Sequence, residues 1–108
     1  MIRDSAMTGN RAIGRGANPA RPGTPGGGSG GAIYTDGNSY TVTIDGTVIT
    51  GNSASEGGGA VFFVSNDRTG TLTIGSSTLS GNPSDGFETD PGIFFLGRRQ
   101  TIVDSVVE

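Results

Sequence analysis

The chain has 108 residues, a length that suits one domain and excludes a large core. Apolar residues make up 31% and aromatic residues 6%, while 21 glycines and 5 prolines approach the level of a low-complexity chain. The net charge is −3, and the sequence contains no histidine and no cysteine. Disulfides, thiol chemistry and thiolate metal sites are thereby excluded, and a solenoid whose coils each bury a few small side chains fits the composition.

The N-terminal segment carries most of the positive charge. Four of the seven basic residues, all of them arginines, fall within the first 21 residues, against the single acid Asp4. They are Arg3, Arg11, Arg15 and Arg21. Nucleic-acid interfaces combine a basic face with aromatic platforms, whereas these arginines lie in a segment rich in Gly and Pro. We therefore expect a solvated loop and no nucleic-acid partner.

The first seven residues lack the apolar run of a signal peptide. No segment approaches the roughly 20 apolar residues that a membrane helix needs. We expect no membrane span in this chain, and either a cytoplasmic location or an export signal that lies elsewhere.

One motif, Ile-x-x-(Ser/Thr)-x-apolar-(Ser/Thr)-Gly-Asn, recurs along the chain. Its copies begin at Ile2, Ile44, Ile74 and Ile102, at intervals of 42, 30 and 28 residues, and the last copy stops before its Gly-Asn. Self-similarity at such intervals predicts a solenoid in which each repeat forms one coil. A repeat array cut in mid-coil at both ends is what we expect of a fragment of a longer array.

A second motif, Gly-Gly-Ala followed by an apolar and an aromatic residue, alternates with the first. It occurs at 30–34 and 58–62 and, degraded, at 91–94. The distance from Asn10 to Ala32 is 22 residues, but only 8 residues separate Asn52 from Ala60. The excess predicts a flexible external loop from Ile13 to about Gly28. The predicted organisation is a partial first coil at 1–12, a Gly/Pro-rich loop insertion at 13–29, and repeat coils at 30–108.

Short alternating runs predict the strands. In 40–44, Tyr40, Val42 and Ile44 share one face while Thr41 and Thr43 share the other, and 71–74 repeats the pattern. No amphipathic helical window of useful length appears. The sequence predicts an all-β chain that folds as a right-handed parallel β-helix of about three coils.

The asparagine that ends each motif predicts a structural column. After Gly, we place it at a corner of the coil, where a short amide tolerates the left-handed region and bonds the backbone nearby. Stacked coil upon coil, Asn10, Asn52 and Asn82 are expected to form an amide ladder, because a buried amide needs partners and a ladder provides them.

These repeats resemble a known group. Gly-Gly-Ala-Ile-Tyr at 30–34 and Leu-Thr-Ile-Gly-Ser-Ser-Thr-Leu-Ser-Gly-Asn at 72–82 are similar to repeats of bacterial right-handed β-helix surface proteins, and to polymorphic outer-membrane protein repeats. The resemblance covers 2–10 and about 30–107. It implies an extracellular or cell-surface location and an adhesive or structural role. The chain has Gly before Asn without the preceding Phe of the polymorphic repeats, so their outer-membrane anchoring is not carried over.

Parallel β-helices also carry polysaccharide enzymes, whose chemistry requires particular side chains. Members similar to polygalacturonases need aspartates together with histidine, and lyases of this fold hold calcium with several carboxylates. The acids here are scattered at turns. Asp85, Glu88 and Asp90 form the densest acidic stretch and are a weak candidate for a hard cation. We expect no catalytic residue and no cofactor.

The outward faces offer candidate contacts. Thr41 and Thr43 are expected beside Thr71 and Thr73, an array that in other solenoids binds ice, although Arg99 interrupts it in the next coil. In each Phe-Phe pair one ring must face outward, and Phe63 and Phe95 are the candidate surface rings.

The sequence favours a non-catalytic extracellular or cell-surface segment with a structural or adhesin-like role. The first alternative is the non-catalytic part of a carbohydrate-active β-helix enzyme, of polysaccharide lyase or hydrolase type, and the minor alternative is an ice-binding surface. Candidate partners are carbohydrate or a cell-surface protein of a host. Because both ends of the stack expose unpaired strand edges, we also expect edge-to-edge self-association.

Overall fold

The computed structural model describes residues 1–16, 22–24 and 26–108, and these residues form thirteen short strands and no helix. The strands are β1 (Ile2–Arg3), β2 (Ala6–Thr8), β3 (Arg11–Ala12), β4 (Ile33–Gly37), β5 (Thr41–Asp45), β6 (Val48–Thr50), β7 (Ser53–Ala54), β8 (Val61–Ser65), β9 (Thr71–Gly75), β10 (Thr78–Ser80), β11 (Ile93–Leu96), β12 (Arg99–Val103) and β13 (Val106–Val107). Within this described part, no helix is long and apolar enough to cross a membrane.

The strands of successive coils pair in parallel. One sheet has the order β1-β5-β9-β12, a second β13-β10-β6-β2, a third β11-β8-β4, and a two-stranded sheet joins β3 to β7. Every strand pair in these sheets is parallel, and partners lie one coil apart in sequence. A chain that returns to the next position of the same sheet after each turn is a parallel β-helix, and the predicted fold class is confirmed.

The register follows the sequence repeat residue for residue. Ile44 pairs with Ile2 on one side and with Ile74 on the other, and Ile74 pairs in turn with Ile102. The four copies of the first motif therefore lie in register with one another, one copy in each coil. The predicted strand faces are also present, since Ile44 is fully buried while Thr41 is exposed.

The core is a set of apolar columns inside the coils. Each column places one apolar side chain of a coil against its counterpart in the next coil, at the interstrand spacing of about 4.8 Å. The fully buried members are Ile44, Ile49, Val61, Phe63, Leu72, Ile74, Leu79 and Ile93. β-branched and aromatic residues suit such half-buried pleated surfaces, which explains how a chain poor in apolar residues still encloses a continuous core.

The two glycines of the Gly-Gly-Ala motif are required for different structural reasons. The first glycine, Gly30 or Gly58, has φ of 73° or 70°, a left-handed conformation that L side chains disfavour. At the second glycine the coils leave no room: a Cβ on Gly31 would overlap the carbonyl oxygen of Gly59, and one on Gly59 would overlap that of Asn82. The motif therefore marks the corner at which adjacent coils approach most closely.

The first coil contains β1 to β3 and continues to β4 after the insertion predicted at 13–29. Residues 17–21 and 25 of that insertion, Arg21 among them, lie outside the described residues. At its base, Gly26 N–H donates to the Arg15 carbonyl over 2.7 Å in an isolated antiparallel bridge. The predicted loop thus leaves and rejoins the coil between β3 and β4.

Candidate functional site

The three motif asparagines lie in one column at a corner of the β-helix. Asn10 Nδ2 donates to Asn52 Oδ1 over 3.0 Å, and Asn52 Nδ2 donates to Asn82 Oδ1 over 3.0 Å. The backbone N–H groups of Asn10 and Asn52 donate to the same two oxygens, at 2.9 and 3.0 Å. Asn52 is fully buried and its Nδ2 also reaches the Met7 carbonyl at 2.9 Å. Each rung therefore ties its coil to a neighbour through both backbone and side chain.

The left-handed conformation at this corner belongs to glycine, which corrects the interpretation of the asparagine. Gly9, Gly51 and Gly81 have φ of 70°, 68° and 65°, whereas no motif asparagine has a positive φ. The glycine makes the turn because it has no Cβ. The asparagine is thus left free to point inward and to bond the next coil.

A second ladder occupies the preceding corner and was not predicted. Thr47 N–H donates to Ser77 Oγ over 3.0 Å, Ser77 N–H donates to Ser105 Oγ over 3.0 Å, and Ser5 N–H reaches Thr47 Oγ1 at 3.4 Å. Each hydroxyl in turn donates to the carbonyl two residues before it. The fixed (Ser/Thr) of the first motif was the signal in the sequence, because a hydroxyl can both accept and donate at one corner.

The residue before each hydroxyl rung is also a repeated feature. It takes the left-handed conformation in all four coils, with φ between 47° and 57°. These residues are Asp4, Gly46, Ser76 and Asp104. Three of the four are not glycine, so the corner holds this disfavoured conformation through its hydrogen bonds.

The threonine array lies on the outer face of the sheet that contains β5 and β9. Thr41 pairs with Thr71 and Thr43 pairs with Thr73, and the Thr41 and Thr71 hydroxyl oxygens are 3.0 Å apart and hydrogen-bonded to each other. In the next coil Arg99 lies beside Thr71, while Thr101 continues the second column. The array is therefore two columns of unequal length, one of them ended by a charged side chain.

The aromatic pairs have the opposite orientation to the one predicted. Phe63 is fully buried in the core cluster, and Phe95 packs against that cluster, so their assignment as surface contacts is wrong. Phe62 and Phe94 are the outward rings. Val61 and Ile93, the first residues of β8 and β11, face the core, and residues two positions further along a strand share that face.

Stacking along the β-helix axis occupies the faces of the outward rings. Phe62 lies between Tyr34 and Phe94, with centroid distances of 4.9 and 5.4 Å, and only 2% of it is exposed. Phe87 meets Phe94 edge to face at 4.9 Å. Sugar rings bind to open aromatic faces, and in this column Tyr34, at 54% exposure, is the ring that leaves most of its surface accessible.

The acidic stretch does not come together as a cation site. Glu88 Oε2 accepts from Gly92 N–H at 2.7 Å, Asp90 Oδ2 accepts from Gln100 Nε2 at 2.7 Å, and Asp85 is exposed. Across the described ranges, no group of three or more acidic, histidine or cysteine side chains is placed to hold a metal ion. Through these hydrogen bonds, Glu88 and Asp90 instead stabilise the turn before β11.

One exposed carboxylate has a perturbed titration. Asp67 Oδ1 accepts from the Thr69 hydroxyl at 2.7 Å, from Thr69 N–H at 3.1 Å and from the Ser65 hydroxyl at 3.1 Å. The Thr69 hydroxyl bond is the main cause that lowers the pKa of Asp67 below its ordinary value, since these donors favour the charged form. Asp67 thereby closes the turn between β8 and β9.

A shallow cleft of about 250 Å³ lies beside the last asparagine of the ladder. Its lining residues are Gly81, Asn82, Pro83, Glu88, Pro91, Gly92 and Glu108. Small-molecule sites enclose roughly 300–1,000 Å³ and contain convergent polar groups. This cleft is smaller, and its acid Glu88 is already bonded to Gly92.

The inserted loop is held against the second coil. The Ser55 hydroxyl donates to the Gly14 carbonyl, Gly16 N–H donates to Glu56 Oε2 at 3.0 Å, and Glu56 N–H donates to the Gly28 carbonyl at 2.8 Å. A Cβ on Gly28 would overlap the Gly14 carbonyl oxygen, so the two ends of the loop touch. Both ends of the insertion are therefore fixed on the β-helix by hydrogen bonds to Ser55 and Glu56.

Parallel sheets that run from coil to coil, ladders at two corners and stacked columns inside define a repeat solenoid of the parallel β-helix class. Residues 4–36 and 46–64 match the family model of the Chlamydia polymorphic membrane protein repeat. This match confirms the resemblance to a bacterial surface protein repeat that the sequence predicted. The match runs through the inserted loop, which the resemblance seen in the sequence had excluded.

The family points to the bacterial cell surface or outer membrane. No curated protein and no solved structure gives a significant match to the chain.

Proposed function

We propose that the chain is a non-catalytic segment of a surface-exposed bacterial protein, in which the β-helix is a scaffold and the inserted loop makes adhesin-like contacts. The observation that carries the proposal is the use of the repeated polar side chains. Asn52 uses its side-chain oxygen and its amide in bonds to other coils, and the Ser77 hydroxyl accepts from Thr47 N–H in the neighbouring coil while it donates to Gly75 in its own. The repeated polar residues therefore serve coil-to-coil adhesion within the chain.

The loop is proposed as the contact element because it is the largest departure from the repeat. Recognition residues occur disproportionately on loops that a rigid scaffold positions. Here the scaffold continues without interruption beneath the loop, since β3 pairs with β7 and β4 pairs with β8 on either side of it. Its length can therefore vary without disturbing the coils.

Two kinds of partner are proposed, a glycan and a cell-surface protein of a host. Glycan contact draws on Tyr34, whose ring is more than half exposed at the edge of β4. Protein contact draws on Arg15 and its neighbours in the loop, because arginine is favoured at protein interfaces. The two partners would contact different residues, so one experiment can distinguish them.

The test replaces residues 13–29 with the Ser-Glu-Gly that links the same points of the second coil at 55–57. The shortened chain is expected to retain the β-helix and to lose binding to intact epithelial cells, whereas binding to a glycan array, which draws on Tyr34, should be lost in Tyr34→Ala. A matched control keeps the length of the loop but has serine in place of Ile13, Arg15, Pro22 and Thr24. Cells stripped of surface protein or of glycan then identify the partner. Equal binding by the shortened and complete chains would contradict the proposed role of the loop.

The proposal that the segment is non-catalytic is tested separately. The chain is incubated with pectin, alginate and other acidic polysaccharides, and the release of reducing or unsaturated ends is followed. No release above a boiled sample is expected. Release that depends on Asp85, Glu88 or Asp90 would instead support the carbohydrate-active alternative, because carboxylates perform both hydrolysis and calcium-assisted elimination.

We further propose that the isolated 108-residue polypeptide associates edge to edge. The strands β1 and β12 form the two edges of one sheet, and each presents backbone groups that no strand of the described residues pairs. Light scattering over a concentration series should show an apparent mass that rises with concentration. A monomer at every concentration would disprove the association.

A further inference from the structure

Glu56 has the most unusual environment of any charged side chain in the described part of the chain. Its Oε2 accepts the Gly16 N–H at 3.0 Å, whereas its Oε1 is buried and has no hydrogen-bond partner among the described residues. Removing a carboxylate oxygen from water without a partner costs free energy. A side chain held in this position must be fixed by its surroundings.

The backbone of Glu56 is clamped from both sides. Its N–H donates to the Gly28 carbonyl in the coil above at 2.8 Å, and its carbonyl accepts from the N–H groups of Gly86 and Phe87 in the coil below at 2.8 and 3.0 Å. A Cβ on Gly28 would lie 2.9 Å from Glu56 Cγ, so the loop base packs directly on the side chain. Three coils therefore fix the direction in which the carboxylate points.

The Glu56 carboxylate points at Gly16, in the segment that leads from β3 into the inserted loop. Gly16 is buried, its N–H bonds Glu56, and its carbonyl accepts from the Thr24 hydroxyl at 3.3 Å. Gly16 has φ of 83°, and a Cβ there would overlap the Thr24 side chain. Both arms of the loop thus meet at Gly16, and Gly16 meets the β-helix at Glu56.

We infer that Glu56 is the latch that fixes the inserted loop on the β-helix, and that it is a positioning residue for the contacts proposed for that loop. The latch rests on a single charge-assisted hydrogen bond at the point where both arms converge. Losing it frees Gly16 from the β-helix, while the Gly26 bond to the Arg15 carbonyl still joins the two arms and the bonds of Ser55 and Gly28 keep the loop attached at its base. The consequence for binding rests on the proposed function, but the latch itself does not.

The Arg15–Gly16 peptide bond gives a direct readout, because trypsin cleaves after arginine and Gly16 is buried in the latched loop. Arg68–Thr69, in an exposed turn far along the chain, is the internal reference. Glu56→Ala should raise cleavage at Arg15 by about tenfold relative to Arg68, the factor expected for the loss of one charge-assisted hydrogen bond. Glu56→Gln keeps an acceptor for Gly16 N–H, so cleavage should stay within about threefold of the unmodified chain.

Hydrogen exchange in the unmodified chain provides a second measurement that needs no variant. The Gly16 amide should exchange at least about tenfold more slowly than an unstructured glycine, because it is buried and bonded. Unchanged cleavage at Arg15 in Glu56→Ala, or an unprotected Gly16 amide, would overturn the latch. An equal rise at Arg15 and Arg68 would also overturn it, since Glu56 would then act on the whole fold. Raised cleavage at Arg15 together with unchanged cell binding in Glu56→Ala would leave the latch standing and would contradict the proposed function alone.

Discussion

The inner and the outer aromatic columns have almost the same geometry but different surroundings. Inside, Phe63 stacks between Tyr40 and Phe95 at 4.7 and 5.1 Å, and outside, Phe62 stacks between Tyr34 and Phe94 at 4.9 and 5.4 Å. The spacing is common to both faces because the coil repeat sets it. The energetic roles differ, since the inner column packs against the aliphatic core and the outer one ends on a solvent-exposed tyrosine.

The largest expected difference between the columns is at Phe63. Phe63→Ala should lower the free energy of unfolding by about 3–5 kcal/mol, because it removes a fully buried ring and leaves a cavity between two stacked neighbours. Tyr34→Ala, at the exposed end of the outer column, should cost about 1 kcal/mol or less. Urea unfolding followed by circular dichroism measures both. Equal losses would show that face and burial do not decide the contribution of a stacked ring.

The asparagine ladder extends the comparison to polar columns. Asn52→Ala should cost about 3 kcal/mol, because it leaves the buried Asn82 Oδ1 without its side-chain donor and the Met7 carbonyl without its own. Asn38, an exposed asparagine in the turn after β4, is the matched control, and Asn38→Ala should change stability by less than about 0.5 kcal/mol. A neutral Asn52→Ala in the same urea assay would show that the coils do not need the ladder.

The sequence predicts those parts of the fold that depend only on the spacing of the repeats. The spacing of Ile44 and Ile74 predicts their pairing, because a coil must return the same residue to the same place. The pairing of Thr41 with Thr71 follows from the same rule. Period therefore predicts fold class and register together.

The features that the sequence mispredicted or missed depend on facts that the spacing of the repeats does not contain. Which ring of Phe62 and Phe63 faces inward depends on where β8 begins, and Val61 decides it. The hydroxyl ladder at Thr47 depends on the direction of a hydroxyl hydrogen bond across coils, which no single repeat reveals. The Glu56 latch depends on an inserted loop folding back, a long-range contact between residues 40 positions apart.

A smaller difference is expected between the two tyrosine hydroxyls. Tyr40 donates to the Val64 carbonyl at 2.7 Å from a partly buried position, so Tyr40→Phe should cost about 1 kcal/mol. Tyr34 approaches Asp36 Oδ2 only at 3.5 Å from an exposed position, and Tyr34→Phe should be close to neutral. Thermal unfolding of the two variants gives the comparison. A greater loss at Tyr34 would reverse the assignment of inner and outer columns.

The finest difference concerns ionisation at the end of the outer column. Burial of part of the side chain, followed by the charge of Asp36 and the hydrogen bond to it, raises the pKa of Tyr34 above its ordinary value near 10. Because the pKa is raised in the folded chain, the associated stability is present below the ordinary pKa and is lost as pH rises through the folded value. Tyr40→Phe leaves Tyr34 as the only tyrosine, so tyrosinate absorbance follows it directly.

Asp36→Asn is the matched variant for this titration. It should lower the pKa of Tyr34 only part of the way, because the burial that contributes most is unchanged while the neighbouring charge is gone. A return to the ordinary value in Asp36→Asn would make the carboxylate the main cause. An ordinary pKa of Tyr34 in the chain that keeps Asp36 would mean that the Tyr34 ring, at the end of the outer column, is fully solvated. Either result would change the assignment of Tyr34 as the accessible yet anchored end of that column.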